Sequence, residues 1–141
     1  VTVSSAVRRC PLSGAATAAL ARAVLRAEGV RDAAVSVSFV GLRRIRSLNR
    51  RYLGRDRETD VIAFALPGGP GPLVGDVYCA PRAAARAARR FGVPLREELR
   101  RLVVHGVLHV LGYDHPGGEA RVRSAMWARQ ERLLRRSRGT R

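Results

Sequence analysis

The sequence predicts an α+β fold in which four strands build a small sheet and about five helices cover it. Three observations carry that prediction. Val35, Val37 and Phe39 alternate with Ser36 and Ser38, the period of two of a strand with one buried face. Leu42, Ile45, Leu48 and Tyr52 recur at three- and four-residue steps, the apolar stripe of an amphipathic helix. Strand patterns occupy the first part of the chain and three helical segments close it, an order that suits helices laid over a sheet.

Taken in order, Val1 to Val7 is the first strand, and Ser13 caps a helix that runs toward Glu28 and stops at Gly29. Ala33 to Val40 is the second strand. The helix from Leu42 to Leu53 ends near Gly54 and carries Arg43, Arg44, Arg50 and Arg51 outward. Thr59 to Leu66 and Leu73 to Cys79 are strands, joined by the turn-rich stretch Pro67-Gly68-Gly69-Pro70-Gly71-Pro72. That stretch lacks phosphate-loop spacing and a following lysine, so it is a connector rather than a nucleotide cradle. A helix from Pro81 to Phe91 ends at Gly92, a longer one runs from Pro94 to Leu111 before Gly112, and the last spans Glu119 to Leu134. A chain of 141 residues suits one core. The domain is therefore assigned to residues 1–134, with 135–141 as a short, unfolded basic tail.

Hydrophobic residues at 46% and charged residues at 27% exclude the composition of a disordered chain. The 27 basic residues, all arginine, face 11 acidic ones and leave +16. Arginine's planar fork grips phosphate oxygens in pairs, so the excess points to a polyanionic partner such as RNA, DNA or a ribosome surface. Cys10 and Cys79 form no CxxC pattern and read as reduced thiols. No run approaches the roughly 18 apolar residues of a membrane span. The Ala15–Leu25 run carries Arg22 and lacks a signal-peptide core, so the expected setting is cytoplasmic, without a membrane partner.

The three histidines all fall within His105-Gly106-Val107-Leu108-His109-Val110-Leu111-Gly112-Tyr113-Asp114-His115. His105 and His109 stand one helical turn apart and can aim at one point. Gly112 can take the left-handed conformation that turns the chain back and lets His115 supply a third nitrogen. Three protein ligands leave a position for water or substrate, the catalytic rather than structural arrangement for zinc. The expected cofactor is one Zn²⁺ ion at the end of the long helix, although nitrogen ligands also accept nickel and other divalent ions. Ordinary helix-packing histidines are the alternative. The zinc-peptidase pattern would put glutamate after the first histidine, where this chain has Gly106. Asp114 either orients a ring or approaches the ion through water, or else caps the turn, and Tyr113 packs at the helix end in preference to stacking on a base. Asp60 and Asp76 lie beside the expected cleft, to position water or substrate or to make turn hydrogen bonds. Arg82, Arg86 and Arg89 or Arg90 form a helical stripe able to track an RNA backbone or simply to face solvent.

His105 to His115, reading HGVLHVLGYDH, resembles the signature HGxLHLxGYDH of the YbeY family of ribosomal-RNA maturation endoribonucleases. The resemblance extends in order through Leu48-Asn49, Tyr52, Thr59-Asp60-Val61, Phe64, Gly75-Asp76 and the Met126 and Glu131 region, roughly Val35 to Glu131. It implies a mixed sheet flanked by helices, metal ligation by the three motif histidines, and a cytoplasmic, single-strand-specific RNase that matures small-subunit ribosomal RNA. It also implies RNA and the small ribosomal subunit as partners. Where the family often has arginine after the tyrosine of its LNxxYR segment, this chain has Leu53, and Arg55 or Arg57 is the candidate replacement for the missing phosphate ligand. A serine of the family's TDVLSF stretch is Ala63 here, and its third motif leucine is Val110. Two further readings stand beside the nuclease: a non-catalytic RNA-binding assembly factor with a structural metal, and a metallopeptidase.

Overall fold

A computed structural model describes residues 1–66, 71–114 and 124–138. Among them the elements run β1 (Thr2–Ser5), α1 (Gly14–Ala27), β2 (Ala33–Phe39), α2 (Leu42–Leu53), β3 (Val61–Ala65), β4 (Leu73–Cys79), α3 (Pro81–Phe91), α4 (Leu95–Val110) and α5 (Ala125–Ser137). The sheet order is β1-β2-β4-β3. β1 and β4 lie parallel to β2, and β3 runs antiparallel to β4, so the sheet is mixed as expected.

Alternation along the strands decides which side each helix covers. Val35, Val37, Phe39, Val77 and Cys79 bury themselves against α1, α4 and α5 in the main core. Ile62 of β3 points to the other face, where it joins Ile45 and Leu48 of α2 in a smaller core. Burial pushes the Cys79 thiol far above its ordinary range, and both cysteines are free.

α4 is the central helix. Leu102 through Leu108 are buried without interruption, which explains why that stretch is apolar on every side rather than on one stripe. It lies against α1, α3, α5 and the β3–β4 half of the sheet. Two glycines let it sit close. A Cβ at Gly75 would stand 2.8 Å from Val110 Cγ2 and 2.9 Å from the Phe64 carbonyl oxygen. One at Gly106 would overlap Val77 Cγ1 and lie 3.2 Å from Cγ2.

Several boundaries differ from the sequence reading. β1 is shorter than Val1 to Val7 because the Ser5 side chain folds back onto Val7, accepting from its N–H at 3.3 Å and donating to its carbonyl at 3.1 Å. β3 begins at Val61 rather than Thr59. α5 does not stop at Leu134: it continues to Ser137, whose hydroxyl donates to the Leu134 carbonyl and accepts from the buried Arg100, both at 2.8 Å. The first residues of the expected tail are thus a docked helical turn. The start of α5 is capped by Ser124, which accepts from Trp127 N–H at 3.1 Å; the expected start at Glu119 lies outside the described residues.

Candidate metal centre

The Gly106–Val77 approach sets the roll of α4 on the sheet, and with it the direction of the neighbouring histidine. His105, about 100° further round the helix, is turned to α5 and is 4% exposed. His109, one turn on, is half-buried. Their ring centroids are 4.7 Å apart with planes at 74°. Gly112, at φ 100°, ends the helical run in the conformation expected of it. His115 lies outside the described residues. Among the described residues no group of three His, Cys, Asp or Glu side chains is placed to hold a metal ion.

A polar relay behind His105 determines its tautomer. Arg101 holds the Glu131 carboxylate through Nε at 3.1 Å and 3.2 Å and through Nη2 at 3.1 Å. Glu131 accepts from Gln130 Nε2 at 3.3 Å, which identifies the other amide atom, Oε1, as the acceptor facing His105. His105 Nδ1 stands 2.6 Å from Gln130 Oε1, and an amide oxygen can only accept, so Nδ1–H is the donor. Metal-binding histidines characteristically give their second N–H to such an acceptor. The donor chemistry fits a zinc-class ion: two imidazoles at i and i+4, one of them with Nδ1 held by an amide oxygen.

Arg101 also donates to Glu98 at 3.1 Å. Burial pushes the Glu98 carboxyl up against the opposing pull of Arg101. Burial opposes the charge on Arg101, yet its bonds to Glu131 and the nearby Glu98 raise its pKa on balance. The relay borders a cleft of about 530 Å³. Asp60, Arg90, Phe91, Arg101, His105 and Trp127 are among the residues that form its wall.

Just past α4, a second set of bonds fastens the turn that leads to the rest of the motif. Tyr113 packs on the main core and donates its hydroxyl to Glu28 at 2.7 Å. Arg129 Nε reaches the other Glu28 oxygen at 2.5 Å. Burial raises the Glu28 carboxyl, but these two bonds outweigh it and hold the pKa below the ordinary value.

The remaining sequence candidates separate by position. Asp60 borders the His105 cleft, and its carbonyl accepts from Ala80 N–H. Asp76 does not: with Gly75 and Val77 turned to α4, the pleat sends Asp76 to the opposite face, where it accepts from Ser36 at 2.5 Å. Arg55 and Arg57 are both exposed, on the turn after α2, where buried Asn49 donates to the Arg57 carbonyl at 3.0 Å. Arg86 is paired with Glu58, while Arg90 borders the cleft. Asp114 is exposed. Sequence reading missed Gln130 and Arg101. The only sequence-level sign of them is the Glu98–Arg101 spacing of three and the adjacent Gln130-Glu131 pair, neither of which names a histidine partner.

In sequence and in fold the chain is similar to known proteins. A family model described as Endoribonuclease YbeY matches residues 6–138. The chain is similar to Endoribonuclease YbeY of Anaeromyxobacter sp., 46% identical over 84% of this chain and 62% of that protein, so the match spans less than two thirds of that relative. It is 43% identical to Endoribonuclease YbeY of Pelotomaculum thermopropionicum over 95% of this chain and 94% of that protein. Among solved structures, the solution structure of TM1509 from Thermotoga maritima aligns with TM-score 0.65 at 26% identity, covering 98% of this chain and 89% of that one.

Proposed function

Because the chain belongs to the YbeY endoribonuclease family, we propose that it cleaves single-stranded RNA in the maturation of small-subunit ribosomal RNA, using one divalent ion held by His105, His109 and His115. The observation that carries the metal assignment is the His105–Gln130 hydrogen bond, the kind of Nδ1–H contact that orients a ligating imidazole. When bound, a zinc-class ion supplies Lewis acidity toward a phosphodiester oxygen. The protein's own part is orientation and charge. Gln130 holds the His105 ring, Arg101 and Glu131 hold Gln130, and Arg90 offers a guanidinium on the cleft wall. Arg55 and Arg57 stand as the replacements for the family arginine missing at Leu53.

Single-strand preference is supported by Phe91 and Trp127 on the same wall. Phe91 is 68% exposed and can stack on a base splayed out of a strand. A net charge of +16 supports an RNA backbone as partner, and ribosomal RNA in the cytoplasm is the target the family motif implies. The peptidase reading loses further ground. Residue 106, where a peptidase would carry its glutamate, faces Val77 in the core and has no room for a side chain.

The test compares zinc-loaded wild type with His109→Ala on single-stranded and duplex ribosomal RNA fragments, with end-group analysis of the products. Metal-dependent cutting of the single strand that falls at least about 100-fold in the variant is expected. Equal cutting by both proteins refutes the metal assignment. Tight binding with no turnover by either leaves an assembly factor instead.

A further inference from the structure

On the side of α4 turned away from the histidines lies a cavity of about 800 Å³ between α1, the start of α4 and the end of α5. Arg22 and Arg26 stand one turn apart on α1, Arg96 and Arg100 one turn apart on α4, and Arg138 follows α5; all five border it. Alanines of α1 form the apolar floor. The single carboxylate on the wall, Glu97, is already engaged by Arg138.

Arg100 is the most informative member. It is 8% exposed, yet its hydrogen bond is to a neutral group, Ser137 Oγ. Among the described residues no carboxylate lies within ion-pair distance of it. Burial disfavours the charge of this guanidinium, and Arg96 and Arg138 add repulsion that attraction from Glu97 offsets only in part. A further negative group in the cavity would offset that cost.

We propose that this cavity is an RNA-backbone site, an exosite that grips phosphodiesters flanking the cut. The inference rests on the RNA-cleavage reading for its partner and on the arginine cluster for its place. An extended polyanion suits the shape better than one small ion. The α1 wall from Ala15 to Arg26 runs about 16 Å, and arginines line up along it in pairs able to take successive phosphates bidentately. Arg100 stands about 140° round α4 from His105 and about 14 Å along the axis from His109. One strand held here therefore reaches the histidines only by passing around the helix, so the site acts on binding of long RNA and not on the reacting bond.

The experiment measures binding of a labelled 20-nucleotide single-stranded RNA to the full chain without metal, across a salt series. The variants are Arg22→Gln/Arg96→Gln, both exposed and so neutral for folding, and Arg100→Met. Each is expected to weaken binding at least fivefold at about 0.1 M salt and to lower the log–log salt slope by about 0.7 for each phosphate left unneutralised. Zinc-loaded cleavage of a tetranucleotide should be unchanged while KM for the long RNA rises. The charge-matched control Arg8→Gln/Arg9→Gln lies outside the cavity. An equal loss in that control means a diffuse field and overturns the site. Inorganic phosphate that shifts the Arg100 Nε resonance without competing with RNA overturns the RNA assignment. Wild type that binds RNA through these arginines but never cuts it refutes the nuclease reading and leaves the exosite standing. Cleavage and binding of long RNA untouched in the variants do the reverse.

Discussion

Replacing Gly106 by alanine should cost both stability and metal affinity, because one methyl group has to enter the seam between α4 and β4. The new carbon would stand more than about 1 Å inside the ordinary 3.5–4.0 Å carbon–carbon separation from Val77 Cγ1. Rotating Val77 gives no relief. The new carbon already lies 3.2 Å from the second methyl, and Val77 is fully buried and stiff at χ1. Alanine gains about 1 kcal/mol of helix propensity over glycine. Overpacking costs about 1–3 kcal/mol, with this tight site near the top of that range, so the net loss is about 1–2 kcal/mol. For a domain of this size that lowers Tm by roughly 3–8 °C, read by calorimetry. The helix relieves the overlap by moving away from the sheet, and His105 moves with it relative to Gln130. Zinc affinity, measured by chelator competition, should then fall about tenfold or more. A variant as stable as wild type would refute the claim that close approach, rather than chain flexibility, demands glycine at this position.

Three further outcomes follow from the same contacts. Gln130→Leu keeps the volume and removes the acceptor: zinc affinity should drop about 10–100-fold, and the imidazole nitrogen shifts of metal-free protein should lose the Nε2 lone-pair tautomer at His105. Unchanged tautomer populations would contradict the relay. Glu28→Gln should destabilise the protein at neutral pH by about 1–3 kcal/mol, since hydrogen bonds to a charged group from Tyr113 and Arg129 are weakened. The sign with pH follows from the lowered carboxyl. Its contribution is complete above the ordinary glutamate value of about 4.3 and disappears as pH falls through the depressed folded value. Urea titrations should show the gap between wild type and variant closing in acid, and a gap that widens there would reverse the assignment.

Much of this protein is local in origin and so was legible in the chain. Ser36 and Ser38 between Val35, Val37 and Phe39 state which face of β2 is dry, and β4 falls within Leu73 to Cys79 as its pattern requires. The histidine spacing of four needs only helix geometry to bring two rings together. Features that depend on elements distant in sequence were not legible. Asp76 was expected beside the cleft with Asp60, yet the pleat of a strand packed on α4 turns it the other way. The end of α5 looked like a solvated tail, since nothing local shows that Ser137 will meet Arg100, 37 residues away.

By itself the sequence determined the elements, the mixed partition of polar and apolar faces, and the chemistry available at the histidine motif, because periodicity and residue type act over one or two turns. Only the tertiary structure decided that Gln130 meets the His105 ring, why residue 106 has no side chain, and that arginines of α1, α4 and the residue after α5 share one cavity. Each of these depends on distances between elements that the chain order leaves open until the core has packed.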